Sequence, residues 1–410
     1  MSLRWPSGAP AALADGACAA FPLRGHRTGP VPFAGRADDR RPAGRVEAAM
    51  GWRLCMALLV LPACDGVPGP AGPAPMRAGV RAPFDTVGYA HTAEAVETVV
   101  AAAREAEGER LAPPGGAPWV AVIAPHDDWV YAARVMVHAF TDLRAGHVVL
   151  VGVAHHARDF PESEGRLVFD SFDAWHGPYG AVPISPLRQD LLAALPPQDV
   201  LVSDAMHAGE HSLEGLVPFL QHGRRDVSIV PILVPFAEFD RLAALAERVG
   251  EALAEATERR HLAPGVDVAI LISSDAVHYG DEGWGGRAFA DFGVDGAAYD
   301  AAVARDLALI ENHLAGPVEL ERLQAFSTSV LAEDVHEYRI PWCGRFSIPF
   351  GLALVLAFAL ARGLPVPAGT LLRYGTTLDP GRTDWPVPGL GATAPASLHH
   401  WVGFASIGYR

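Results

Sequence analysis

The chain of 410 residues contains no lysine; all 32 of its Lys/Arg positions are arginine. That excludes Schiff-base chemistry on a lysine and a nucleotide-binding loop of the Walker type, which needs one. Cysteine is scarce as well, with four in the whole chain (Cys18, Cys55, Cys64 and Cys343), too few for a disulfide scaffold. Neither Gly-x-Ser-x-Gly nor His-Glu-x-x-His occurs, so a nucleophile elbow and a zincin helix are both excluded. Apolar runs stay below the roughly 20 residues that span a bilayer. Charge is low in amount and one-sided in sign: 19% of residues are charged and the formal net charge is −15. An acidic balance argues against general nucleic-acid binding, which needs a basic face. With 50% hydrophobic residues and mean hydropathy +0.17, the chain has the material for a large core and is not of disordered composition.

What is present is unevenly distributed. Residues 1–49 show no sustained period and carry an excess of arginine, so they read as disordered or outside the natural product. At Met50 the pattern changes. A basic start (Gly51-Trp52-Arg53) leads into the apolar run Leu54 to Leu61, and Pro62-Ala63-Cys64 closes it. This order resembles a bacterial lipoprotein signal over residues 50–64, with translation starting at Met50 and a lipid on Cys64 as the sole link to a membrane. That expectation places the protein at the cell envelope; the alternative is a cytoplasmic protein. Residues 65–80 are rich in Pro and Gly and read as a linker.

Over residues 81–410 the pattern is that of one α/β domain. Val96, Val99, Val100 and Ala103 fall at helical spacing. The β-branched run at 119–125, a helical stretch at 131–143 and the run His147 to Val153 read as a βαβ unit with a parallel pair. Ser185-Pro186 opens another helix, and Ser228 to Val234 and Val268 to Ser273 are apolar strands with an amphipathic helix between them. Ile348 to Ala361 is apolar all round and too short to cross a membrane, hence a core helix. The expected fold is a largely parallel central sheet flanked by helices.

Three of these strands run into residues of metal-ligand type: Pro125-His126-Asp127-Asp128, Ala154-His155-His156, and Ser274-Asp275-Ala276-Val277-His278. Ligands of parallel α/β sheets bind beyond the carboxyl ends of the strands, so three such ends are more informative together than any single histidine. Glu210-His211-Ser212 and Cys343-Gly344-Arg345 could join them; Ser212 is also a candidate helix cap, and Arg345 and a helix N-terminus would favour a Cys343 thiolate. Two imidazoles with a thiolate suit iron, copper or zinc, and two imidazoles with a carboxylate suit non-haem iron.

The segments Ala124-Pro125-His126, Gly152 to His156, Glu210 to Glu214, Ser273 to Gly280 and Cys343-Gly344-Arg345 resemble, in order, the motifs of the Memo family, called AmmeMemoRadiSam system protein B in bacteria and archaea. The resemblance implies a fold like the class III extradiol dioxygenases and one transition metal ion, iron or copper ahead of zinc, facing His126, His155 and Cys343. Asp275 and His278 would be pocket neighbours. His278 or His156 would move a proton, with Asp128, Glu210, His211 and Arg345 also in the pocket. One of Asp127 and Asp128, with Asp128 ahead, is expected to orient His126 by accepting its second ring proton; the alternative is that they are solvated or cap the next helix. The implied function is a metal-dependent redox enzyme acting on a small molecule, with AMMECR-type and radical-SAM proteins as associated partners; a metal- or peptide-binding module without turnover and a metal-dependent hydrolase are the alternatives. The sequence departs from the family at Asp127-Asp128-Trp129, where Ala-Gly-Tyr is usual, at Val153-Ala154 for Pro-Ser, at Leu216 for His, and at Phe346-Ser347 for His-Pro.

Overall fold

The computed structural model describes residues 79–379, 387 and 389–410. The expected signal, the Cys64 anchor site and the linker as far as Ala78 lie outside the described residues. The last position of that linker, Val80, already belongs to the folded body, where it pairs in parallel with Ala174.

Among the described residues ten strands form the main sheet: β1 (Ala121–Ala124), β2 (His147–Val153), β3 (Leu167–Phe169), β4 (Val200–Val202), β5 (Ser228–Val234), β6 (Val268–Ser273), β7 (Asp275–Gly280), β8 (Gly316–Pro317), β9 (Ala368–Thr376) and β10 (His400–Tyr409). Their order is β8-β9-β10-β1-β6-β2-β5-β3-β4, with β7 paired to β10. The four central strands β1, β6, β2 and β5 are mutually parallel. Antiparallel pairing begins where β10 joins β1 and where β3 joins β5. The helix expected between β1 and β2 is present as Trp129–Phe140, but the two strands are not neighbours, because β6 lies between them.

Alternate residues of the central strands enter two separate cores, as the period of two requires. Val149, Val151, Ile270 and Ile272 face one; Val148, Leu150, Ala269 and Leu271 face the other. The first face is covered by α-helices Phe239–Arg259 and Ser347–Ala361, the second by Ala93–Glu107 and Trp129–Phe140. Burial on both faces explains why these strands read as continuous apolar runs. The helical spacing of Val96, Val99, Val100 and Ala103 is that of a buried face. The helix Ser347–Ala361 is apolar all round because it is caught between the sheet and Phe239–Arg259; a Cβ on Gly351 would stand 2.6 Å from Ile272, and one on Gly250 would stand 2.6 Å from Ala357. Among the described residues no helix is long and apolar enough to cross a membrane.

Candidate metal centre

Because β1, β6 and β2 are adjacent and parallel, their carboxyl ends lie side by side, at roughly 4.8 Å per strand. His126, Asp275 and His155 each follow a strand end by two residues. Cys343 arrives from elsewhere. Its backbone N–H donates to the Ala276 carbonyl, and Gly344 lets the turn lie against the end of β6, since a Cβ there would stand 2.5 Å from that of Ser274.

The donor atoms converge. His155 Nε2 is 3.3 Å from Cys343 Sγ, and His126 Nε2 is 3.4 Å from the same sulfur. One atom from each of the three lies within 4.8 Å of the others. Asp275 Oδ2 stands 3.3 Å from His126 Nε2, and Asp275, His278 and Cys343 form an overlapping group.

Hydrogen bonds on the far side of each ring assign its tautomer. The Ser273 hydroxyl donates its one proton to the Ser212 carbonyl, so it accepts from His126 Nδ1 at 2.7 Å. The Glu210 carboxylate can only accept, and it takes His155 Nδ1–H at 2.8 Å, together with the backbone N–H groups of His155 and Ser212. Both Nε2 atoms are thereby turned toward Cys343, the orientation that metal-binding histidines require. Arg81, 2% exposed, steadies this loop: it donates to the Glu210 carbonyl and pairs with Glu214 at 2.7 Å.

Electrostatics follow from burial. Burial pushes His126 well below the ordinary imidazole range, with His155 adding to the effect. For His155 burial acts downward too, but Glu210 and then Cys343 outweigh it and raise the ring. Burial raises Asp275 to about 7, opposed by the His126 N–H, and lowers His278 to about 3, aided by His155. Burial raises the Cys343 thiol, opposed by His155.

A cavity of about 590 Å³ opens on this group, lined in part by Asp85, Tyr89, His126, Asp127, His155 and Asp275. His211 lines it and stacks on His155 with centroids 4.5 Å apart. Trp284, which nothing in the sequence singles out, stacks on His400 at 4.0 Å and leans on His278 at 5.2 Å. His278 Nε2 is buried there without a hydrogen-bond partner.

Four expectations need correction. Asp128 lines the cavity but does not orient His126; its carboxylate accepts from Thr393, and Ser273 takes the ring proton instead. His156 points away: its side chain is 54% exposed and sits 3.5 Å from Asp159, because consecutive residues leaving a strand face opposite ways. Ser212 caps no helix; its hydroxyl donates to the Val153 carbonyl. Arg345 is buried beside Cys343 in a second, smaller cavity and does not line the large one. Ser273 had a faint signal, a small polar residue two positions before Asp275 on a strand otherwise apolar.

Fold and site together define an α/β protein with a cluster of metal-ligand side chains at the carboxyl edge of a parallel sheet core. The Memo-like protein family model matches residues 89–379, and the chain belongs to the Memo family. It is 32% identical over 161 residues to a MEMO1 family protein of Aquifex aeolicus, covering 39% of this chain and 54% of the relative. To a MEMO1 family protein of Archaeoglobus fulgidus it is 31% identical over 162 residues, covering 39% and 55%. The chain spans about half the length of the curated relatives it matches.

Replacing Glu210 by Gln tests the orienting role. An amide NH₂ must then face one of the N–H groups that the carboxylate accepts, so the set of bonds that seats the His155 ring is broken. Metal affinity is expected to fall about 10- to 100-fold, measured by competition with a chelator; an unchanged affinity would show that Glu210 only supports the loop.

Proposed function

We propose that the protein binds one iron or copper ion through His126, His155 and Cys343 and performs a redox reaction on a small molecule held in the large cavity. The observation that carries this reading is the convergence of two oriented imidazoles and a thiol on one point that borders the cavity. Such a donor set suits iron, copper or zinc, and the bound ion would supply a Lewis-acid and electron-exchanging centre. The chain's own residues do the rest. Glu210 and Ser273 orient the rings, Asp275 and His278 hold or accept a proton at the cavity wall, and Trp284 with His400 offers a flat aromatic face to a substrate.

The test is metal analysis of protein purified without an affinity-tag metal, followed by an oxygen-uptake screen over small phenols, thiols and acids. Near-stoichiometric iron or copper with oxygen uptake is the expected result. Bound metal with neither oxygen use nor hydrolysis would overturn the redox reading in favour of a binding module, and hydrolysis without oxygen use would point to a metal-dependent hydrolase.

A further inference from the structure

His155 and Cys343 also line a second cavity, of about 100 Å³, whose wall contains Arg158 and Arg345 and no carboxylate. The large cavity is the reverse: Asp85, Asp127, Asp128 and Asp275 line it, with no arginine. The two spaces that meet at the metal-ligand cluster therefore differ in the sign of charge they admit.

Arg345 is only 6% exposed. Its guanidinium carbon lies 3.7 Å from the centre of the Tyr338 ring, 4.8 Å from Phe346 and 5.7 Å from Phe236. Three aromatic rings thus surround the guanidinium, and a ring offers no acceptor oxygen to its N–H groups. Nε is buried with no hydrogen-bond partner, and no ion pair to Arg345 occurs among the described residues. A buried charge is ordinarily paired. Arg158 stands at the same cavity, with its guanidinium carbon 5.5 Å from the Phe236 ring; it donates to the His336 carbonyl and lies 3.5 Å from Glu337.

We propose that this small cavity binds a carboxylate, held edge-on by Arg345 beside Cys343 and His155. The volume is that of about three waters, enough for formate, acetate or the carboxyl end of a longer acid. The planar fork of arginine matches a planar carboxylate bidentately, and the rings of Tyr338 and Phe346 packed around Arg345 restrict its side chain. The site needs no metal and stands apart from the redox reading.

Calorimetry on metal-free full-length protein, titrated with acetate and separately with phosphate, tests it. One saturable acetate site, with a dissociation constant on the order of millimolar, is expected. Arg345→Met should weaken it about tenfold or more, and Arg158→Ala by less. Unchanged acetate affinity in folded Arg345→Met would overturn the proposal, as would phosphate binding more tightly than acetate at the same site. Since Arg345→Met could fail to fold, crystals of the unaltered protein grown with saturating acetate give an independent reading: density on the Arg345 edge supports the site, and an empty cavity refutes it.

Discussion

Cys343→Ala is expected to lower metal affinity by at least about 100-fold, more than the 10- to 100-fold that loss of an orienting partner costs. The sulfur is the atom both imidazoles approach, at 3.3 and 3.4 Å, so its removal leaves two nitrogens without the thiolate that completes the set. The substitution deletes one atom from a residue that is 8% exposed, and it leaves the turn's bond to Ala276 intact because that bond is made by the backbone. Folding should therefore survive, which a thermal melt checks alongside chelator competition. Metal bound with unaltered affinity and stoichiometry in Cys343→Ala would show that the cysteine is merely packed beneath the helix Ser347–Ala361.

The second large effect concerns stability and lies outside the metal-ligand group. Glu107, 1% exposed, ends the helix Ala93–Glu107 and pairs with Arg134 at 2.8 Å, Arg373 at 2.9 Å and His138 at 3.1 Å. Those partners come from the helix Trp129–Phe140 and from β9, so one carboxylate ties two helices to the sheet. Glu107→Gln removes the buried charge that Arg134, Arg373 and His138 share, and a loss of about 3–5 kcal/mol is expected in denaturant unfolding.

The pH dependence has a definite sign. Burial opposes ionisation of Glu107, but His138, Arg373, Arg110 and Arg134 together lower it to about 2 from an ordinary value of 4.5. A lowered carboxyl contributes its stability above the unfolded value and loses it as pH falls. The difference between the unaltered protein and Glu107→Gln should thus be full above about pH 5 and shrink between about pH 4.5 and 2. A difference that stays constant across that range would mean that packing, not charge, accounts for the effect.

Much of the fold is legible from local pattern. Strands β1, β2, β5 and β6 each bury both faces, so their apolar runs announce them, and the helix Ser347–Ala361 is likewise legible because sheet and helix enclose it. Strands β7 and β10 are harder to read, because their alternation is broken by glycine and by polar residues that serve the cavity. The convergence of His126, His155 and Asp275 also has a sequence basis: each follows the end of a run that has to be a buried parallel strand, and such ends share one edge.

What the sequence by itself determined, then, is which residues reach that edge. Tertiary structure decided how they meet. Strand order is set by long crossovers, and β6, from far along the chain, lies between β1 and β2, bringing Ser273 rather than Asp128 to the His126 ring. The choice of His155 over His156 follows from the direction in which the chain leaves β2, since neighbouring side chains point to opposite sides. Cys343 joins only because Gly344 allows its turn to rest on Ser274, and the same turn buries Arg345 against Tyr338. None of these meetings has a local signature, because each depends on contacts between segments distant in the chain, where packing and not propensity selects the neighbour.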